Sequence, residues 1–400
     1  MTAKIISSHF RSRQSWGAVL AMSLSAFALV ASEFMPVSLL TPIAADLHIS
    51  EGQAGQAISV SGAFALLTSL TITVLAGRHD RKRLLLGMTL LMIISGSVVA
   101  FAPNYWIFMA GRALIGVAVG GFWSLSAAVV MRLVDTRNVP RALAFLNGGN
   151  ALATVLAAPM GSFLGGIIGW RGAFFCIVPV ALIALVWKLI TLPPLKPEVS
   201  PPSPNVFRLL RRGPVVLGLT ACALFFMGQF TLFTYLRPFL ESVTKVSAGT
   251  LSLILLTIGV AGFTGTTLIG RVLIKDLYRP LIAIPLLMAG IAITLAQVGD
   301  SVAITATLLG FWGLFATAAP VGWWTWLART LPEDAEAGGG LMVAIIQLAI
   351  MLGAVMGGIL YDMNGYQATF GTSAGLLFIA SILAVMAGRS GRTDSSLTSA

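Results

Sequence analysis

Apolar runs of about 20 residues recur along this chain, and each is long enough to cross the ~30 Å hydrocarbon core of a bilayer as a helix. They fall at approximately 17–40, 52–76, 84–102, 105–131, 141–168, 172–191, 214–236, 248–270, 280–298, 302–328, 336–360 and 367–388, twelve spans in all. The 400 residues are 57% hydrophobic and only 10% charged. That composition lies well outside the range of an ordinary soluble domain. It predicts an all-α, polytopic membrane protein.

Lys and Arg are retained on the cytoplasmic side of a membrane, so their distribution over the loops sets the orientation. The N-terminus (Lys4, Arg11, Arg13), the turn 77–83, the loop after span 4 (Arg132, Arg137, Arg141), the central connection, the loop after span 8 (Arg271, Lys275, Arg279), Arg329 and the tail (Arg389, Arg392) share one side. Only Arg171, Arg237 and Lys245 fall at opposite-side loops or ends, and Arg112 lies within a span. Both termini are therefore expected in the cytoplasm. The net charge of +11 follows from this asymmetry and does not argue for a nucleic-acid partner. The first span follows a basic start, but it is too long for a cleaved leader and carries Glu33 and Pro36. Cys176 and Cys222 fall in spans and give no disulfide framework or metal-ligand spacing, while His9, His48 and His79 fall in loops.

Residues 192–214, LPPLKPEVSPPSPNVFRLLRRGP, are too rich in proline to continue a helix and read as a linker. The expected organisation is a cytoplasmic N-terminus (1–16), a six-helix bundle (17–191), a cytoplasmic linker (192–213), a second six-helix bundle (214–388) and a cytoplasmic tail (389–400). The halves also echo one another. GWRGAF (169–174) recurs as GYQATF (365–370), and GGFWSLSAAVVMRLVD (120–135) recurs as PVGWWTWLARTLPED (320–334). Both pairs occupy equivalent ordinal positions, which points to duplication and to the layout of alternating-access carriers.

On this map only Glu33 in span 1 and Arg112 in span 4 are charges well inside a span. Each lies roughly five to seven residues from the outer end of its span, which at 1.5 Å per residue puts them at similar depth. Charge in lipid is costly and a buried ion pair need not add stability, so function is the better reason for keeping both. A neighbouring guanidinium favours the ionised carboxylate, whereas burial disfavours it. If Arg112 approaches Glu33 in one conformation and withdraws in another, a proton is taken up and released with the cycle. The other reading is a static clamp between helices. Pro36 leaves the carbonyl of Ser32 without its donor and creates a local hinge beside Glu33.

The turn AGRHDRKRLLLG (76–87) resembles the Gly-x-Leu-Ala-Asp-Arg-x-Gly-Arg-Lys signature of the major facilitator superfamily, through Gly77, Asp80, Arg81, Lys82 and Arg83. It is shorter and lacks the second glycine. GRALIGVAVGG (111–121) resembles the family's helix 4 signature, and APMGSFLGG (158–166), with Pro159, resembles its helix 5 antiporter signature. In the latter, Ala158 replaces a glycine and Ser162 interrupts the pair, and Gly161 and Gly165 equally form an ordinary packing face. The resemblance covers nearly the whole chain. It implies the major facilitator fold, a proton-coupling role for Arg112, a hinge at Pro159, and a latch in which Asp80, with Arg81, docks on the cytoplasmic N-terminus of helix 11. EFMPVSLLTPIAADLHISEGQAGQ (33–56), GGFWSLSA (120–127), FRLLRR (207–212), GQFTLFTYLRP (228–238) and PVGWWTWLAR (320–329) resemble the proton-driven efflux branch, above all its purine ribonucleoside exporters.

That resemblance implies a bacterial inner-membrane antiporter driven by the proton gradient, with no cofactor or metal, working on a small molecule and as a monomer. It further implies that spans 1, 4, 7 and 10 line the cavity, with 2, 5, 8 and 11 alongside. Helical spacing then selects Trp123, three turns beyond Arg112, with Asn147, Asn150 and Thr154 on span 5. Phe226, Gln229 and Phe233 share a stripe of span 7, Trp323 and Trp326 lie on span 10, and Gln347 on span 11. Aromatic faces and uncharged amides suit a nucleoside, although each is also an ordinary packing residue. The scarcity of buried charge favours a neutral substrate and leaves too few groups for an enzyme. Export of sugars or drugs stays open, as does a sensor that transports nothing.

Overall fold

Helix is the only regular structure among the described residues, as backbone in lipid requires of a chain that closes no barrel. This computed structural model describes residues 2–75, 79–195, 210–211, 213–331 and 335–397, with side chains for 15–72, 79–135, 137–139, 141–195, 210–211, 213–331 and 338–389. In chain order the helices are α1 (Thr2–Leu47), α2 (Glu51–Leu75), α3 (Arg81–Ala100), α4 (Tyr105–Leu133), α5 (Val139–Phe175), α6 (Ile177–Thr191), α7 (Gly213–Phe233), α8 (Leu236–Ser242), α9 (Ala248–Lys275), α10 (Tyr278–Val298), α11 (Val302–Thr330) and α12 (Ala335–Leu397). Helical backbone thus runs into both stretches read as tails, 1–16 and 389–400.

Among the described residues ten stretches are long and apolar enough to cross a membrane, and two of these, Arg141–Thr191 and Gly338–Arg389, have 51 and 52 residues. At 1.5 Å per residue each is more than twice the ~30 Å core. Each is divided by a glycine of positive φ: Gly169 (φ 74°, ψ 164°) in α5 and Gly365 (φ 74°, ψ −173°) in α12. In α12 the return is marked by a 3.4 Å hydrogen bond from Thr369 Oγ1 to the Gly357 carbonyl. Along an unbroken helix those residues would stand about 18 Å apart. Counted as two limbs each, the two long stretches accommodate the twelve expected spans. Gly169 and Gly365 open the GWRGAF and GYQATF repeats, so the matched sequences carry the same unusual backbone.

Span 7 differs from its expected form. Pro238 has no N–H to return to Thr234, and the chain breaks between α7 and α8 instead of running straight through to 236.

Two compact units emerge, one of Met1–Pro42 with Val60–Val199, the other of Ile43–Ser59 with Ser200–Ala400. The division falls at residues 199–200, and Ile43–Ser59 packs with the second unit. Asp362 accepts hydrogen bonds there from Ser50 Oγ and from the Gly52 N–H at the start of α2. Ser59 Oγ donates to the Met351 carbonyl at 3.3 Å. Tyr235, fully buried, donates to the Ala354 carbonyl at 2.8 Å, and its ring occupies the room left by the missing side chain of Gly55.

The backbone at Gly169 and Gly365 lies in a region nearly closed to other residues, so alanine at either site should cost about 1–3 kcal/mol. Thermal unfolding in detergent should show this loss for Gly169→Ala and Gly365→Ala. Gly371→Ala, on an open helix face, should show none.

Candidate functional site

Pro36 sits inside α1, which continues unbroken through it and through Pro42. The helix keeps its course because another donor replaces the missing N–H. Arg112 Nη1 donates to the Ser32 carbonyl at 2.7 Å, and Nη2 donates to the Glu33 carbonyl at 2.8 Å and to Ser61 Oγ at 3.2 Å. Arg112 is 0% exposed and Glu33 5% exposed. The Glu33 carboxylate is also within electrostatic reach of the guanidinium. The two residues expected at similar depth do meet. The contact given by these hydrogen bonds runs through the backbone that Pro36 disturbs, a route the side-chain pairing argument did not supply.

The sequence of α4 places that guanidinium. Asn104 caps the helix by accepting from the Ile107 N–H at 3.0 Å, and Ser95 Oγ of α3 donates to the Gly111 carbonyl at 2.7 Å. One turn beyond Arg112, Gly116 lies so close to the Ser61 carbonyl that a Cβ would collide with it, and Gly120 lies equally close to Ala65. Bare glycine on this face lets α2 approach α4, which carries Ser61 to the arginine. From the other side Gly161 of α5 abuts Met35 and Ser38, and Gly165 abuts Leu39, just past Pro36. Those glycines pack on α1, and α5 stays helical through Pro159.

A further buried charge was missed. Lys188, near the end of α6, is 0% exposed. Its Nζ donates to Thr89 Oγ1 and, at 3.5 Å, to the Leu85 carbonyl of α3, and it lies 5.7 Å from the centre of the Phe122 ring. Its position near a helix end reads in sequence as a chain reaching toward the interface, and only the packing of α3 and α4 around it shows otherwise.

Asp80 caps α3 by accepting from the Lys82 N–H at 2.8 Å, and accepts from the Leu195 N–H at 2.9 Å. The Arg81 N–H donates to the Leu195 carbonyl at 3.0 Å, and Lys82 Nζ to that of Leu189. The basic turn is therefore tied to the chain leaving α6. Gly77, and the side chains at 332–337 where span 11 would begin, lie outside the described residues.

The substrate candidates are distributed over both units. In the first, Trp123 is half-buried with its edge on Phe122, Asn147 is exposed and donates to the Leu143 carbonyl, and the Asn150 carbonyl accepts from Thr154 Oγ1. In the second, Phe226 meets Phe225 and Phe233 meets Phe230 edge-on. Trp323 and Trp326 are buried, the latter filling the space over Gly218. Gln229 Oε1 and Gln347 Oε1 are buried and accept no hydrogen bond. The structure thus unites Glu33, Pro36 and Arg112, and among the aromatic candidates it brings Trp323 and Trp326 into edge-on contact at 5.9 Å.

Long apolar helices built around a buried arginine and a proline-bearing span define a multi-pass membrane protein of carrier type. Residues 22–339 match the Major Facilitator Superfamily, and the chain belongs to it. The chain is similar, at 60% identity over 380 residues and 94% of each chain, to the transcription regulatory protein OpdE of Pseudomonas aeruginosa. It is similar, at 40% identity over 371 residues, to the purine ribonucleoside efflux pump NepI of Salmonella typhimurium, across 93% of this chain and 94% of that one. The crystal structure of a bacterial homologue of the human lysosomal transporter Spinster, inward-facing and unoccupied, shares the fold. Its TM-score is 0.80 at 18% identity, covering 94% of this chain and 97% of that one.

If Arg112 stands in for the donor that Pro36 lacks, its removal strands buried carbonyls. Arg112→Ala should cost about 3 kcal/mol, taking 1–3 kcal/mol for each buried group left unsatisfied. Pro36→Ala restores an N–H to Ser32, so the same substitution should cost measurably less in that background. Unfolding of the four proteins in mixed micelles gives the coupling, and strict additivity would reject the substitution of one donor for the other.

Proposed function

We propose that this chain is a proton-driven exporter of purine ribonucleosides, working by alternating access as a monomer in the bacterial inner membrane with both termini cytoplasmic. The observation that carries the proposal is the Glu33–Arg112 site. A buried carboxylate lies in electrostatic reach of a guanidinium that donates to two backbone carbonyls of the carboxylate's own helix. A proton reaching Glu33 removes the negative charge next to Arg112 without removing the hydrogen bonds that hold α4 on α1. Charge and packing can thus change in turn, as coupling requires. Glu33 and Arg112 are the coupling pair in this reading, and Asp80 with Arg81 forms the inner latch.

The substrate class is supported by the name of the 40% identical relative and by the uncharged character of the candidates. Trp123, Phe226, Phe233 and Trp323 offer aromatic faces. Gln229 and Gln347 offer buried acceptors to the N–H and O–H groups of a nucleoside, and Asn147 and Asn150 extend the polar set. A sugar or drug antiporter is the neighbouring alternative.

Inosine and guanosine flux in inverted vesicles tests the proposal. An imposed pH gradient should drive uptake of labelled nucleoside into vesicles of the native protein. Glu33→Gln should abolish the gradient-driven component while counterflow exchange persists. Gradient-driven transport at the native level in Glu33→Gln would remove Glu33 from the mechanism, and gradient-driven flux of sugars or drugs alone would reassign the substrate.

A second reading, a membrane sensor with a regulatory output, is favoured by the name of the 60% identical relative, which matches this chain along nearly its full length. On that reading the protein binds the nucleoside without net flux under any gradient.

A further inference from the structure

Helices α9 and α10 are joined only by Asp276 and Leu277. Both pack on α11, yet they scarcely touch one another. Gly265 of α9 lies directly on the Leu314 carbonyl of α11, with no room for a Cβ, which draws α9 and α11 together. The first turns of α10 carry Pro280 and Ala283, whose small side chains fill little of the gap. The result is a crevice of about 350 Å³ between α9 and α10, floored by Leu314 and Ala318 of α11. Its walls include Leu268, Val272 and Leu287, each about half exposed on the outer surface of the helices. In a membrane protein such a surface meets lipid, not water.

The closed end of this crevice is basic. Arg279 lines it with a side chain that is 87% exposed, and Arg271 and Lys275 are exposed on the last turns of α9. Arg329 reaches the same end by donating to the Leu273 carbonyl at 3.3 Å. Asp276, the acid described at this end, is occupied. It accepts from the Tyr278 and Arg279 N–H groups at the start of α10 and from Arg279 Nε at 3.0 Å. That contact holds the guanidinium by Nε at the crevice mouth, with its two terminal nitrogens available to a phosphate.

We propose that this crevice is a binding site for an anionic phospholipid, one acyl chain lying between α9 and α10 and the phosphate resting against Arg279 and Lys275. Charge selects the occupant. An apolar slot alone accepts the tail of any lipid, whereas a slot at whose end the described residues place four cations and one paired acid favours a headgroup with net negative charge. The lipid belongs to the leaflet facing the α9–α10 turn, the cytoplasmic one on the proposed orientation. The site does not depend on the substrate assignment.

The test uses the full chain in vesicles of phosphatidylcholine and phosphatidylglycerol, with a trace of either lipid bearing a photoactivatable group on its acyl chain, followed by mapping of labelled peptides. The phosphatidylglycerol probe should label the facing segments of α9, α10 and α11 above other lipid-exposed helices, and above the phosphatidylcholine probe. Arg279→Gln and Lys275→Gln, both at exposed positions that folding does not need, should each reduce phosphatidylglycerol labelling about fivefold while leaving phosphatidylcholine unaffected. Ala283→Phe should fill the slot and reduce labelling by both. Equal labelling by the two probes, labelling spread evenly over the exposed helices, or indifference to Arg279→Gln would each overturn the proposal.

Discussion

A carbonyl without a donor inside a bilayer has no water to turn to, and the guanidinium of Arg112 answers that need for α1. Pro36 opens the position at Ser32, Arg112 fills it, and α1 runs on as one helix. Once the arginine is required there, α4 has to lie against both α1 and α2, with Ser61 as a further acceptor. The glycines at 116 and 120 make that approach possible, and those at 161 and 165 let α5 close on α1 beyond the proline. Much of the first unit's packing follows from one missing N–H.

Lipid tails are as apolar as leucine, so helices in a membrane gain little by hiding apolar surface from one another. Close approach of backbones gives contact energy instead. The second unit shows the same economy of close backbone approach. Gly262, Gly265 and Gly313 bring α9 onto α11, while Gly353 and Gly357 bring α12 onto α7. Polar side chains then fix the fit, as where Ser373 Oγ donates to the Gly228 carbonyl at 2.6 Å.

The long apolar helices and the nearness of Glu33 to Arg112 were legible in the sequence, because they rest on length, hydropathy and helical rise. The use of Arg112 on carbonyls was half legible. Pro36 announced a free acceptor, but nothing in one sequence says which donor will find it. Lys188 was hidden because burial near a helix end depends on neighbouring helices. The break at Tyr235 was signalled by Pro238 and passed over, since the apolar run continues across it. The membership of Ile43–Ser59 in the second unit depends on Asp362 meeting Ser50 and Gly52, more than 300 positions away along the chain. Hydropathy carries no information about such pairings.

The two bends at Gly169 and Gly365 bear on how the protein reaches its membrane. Each reversal is made at one glycine, so the limbs on either side are joined by almost no polar loop. A first limb that entered alone would drag its successor's apolar residues through the aqueous compartment or leave them stranded at the interface. The limbs flanking each glycine should therefore leave the insertion machinery together, as preformed hairpins. Over the described residues the chain then has ten decisions to make during biogenesis where the sequence reading gives twelve spans.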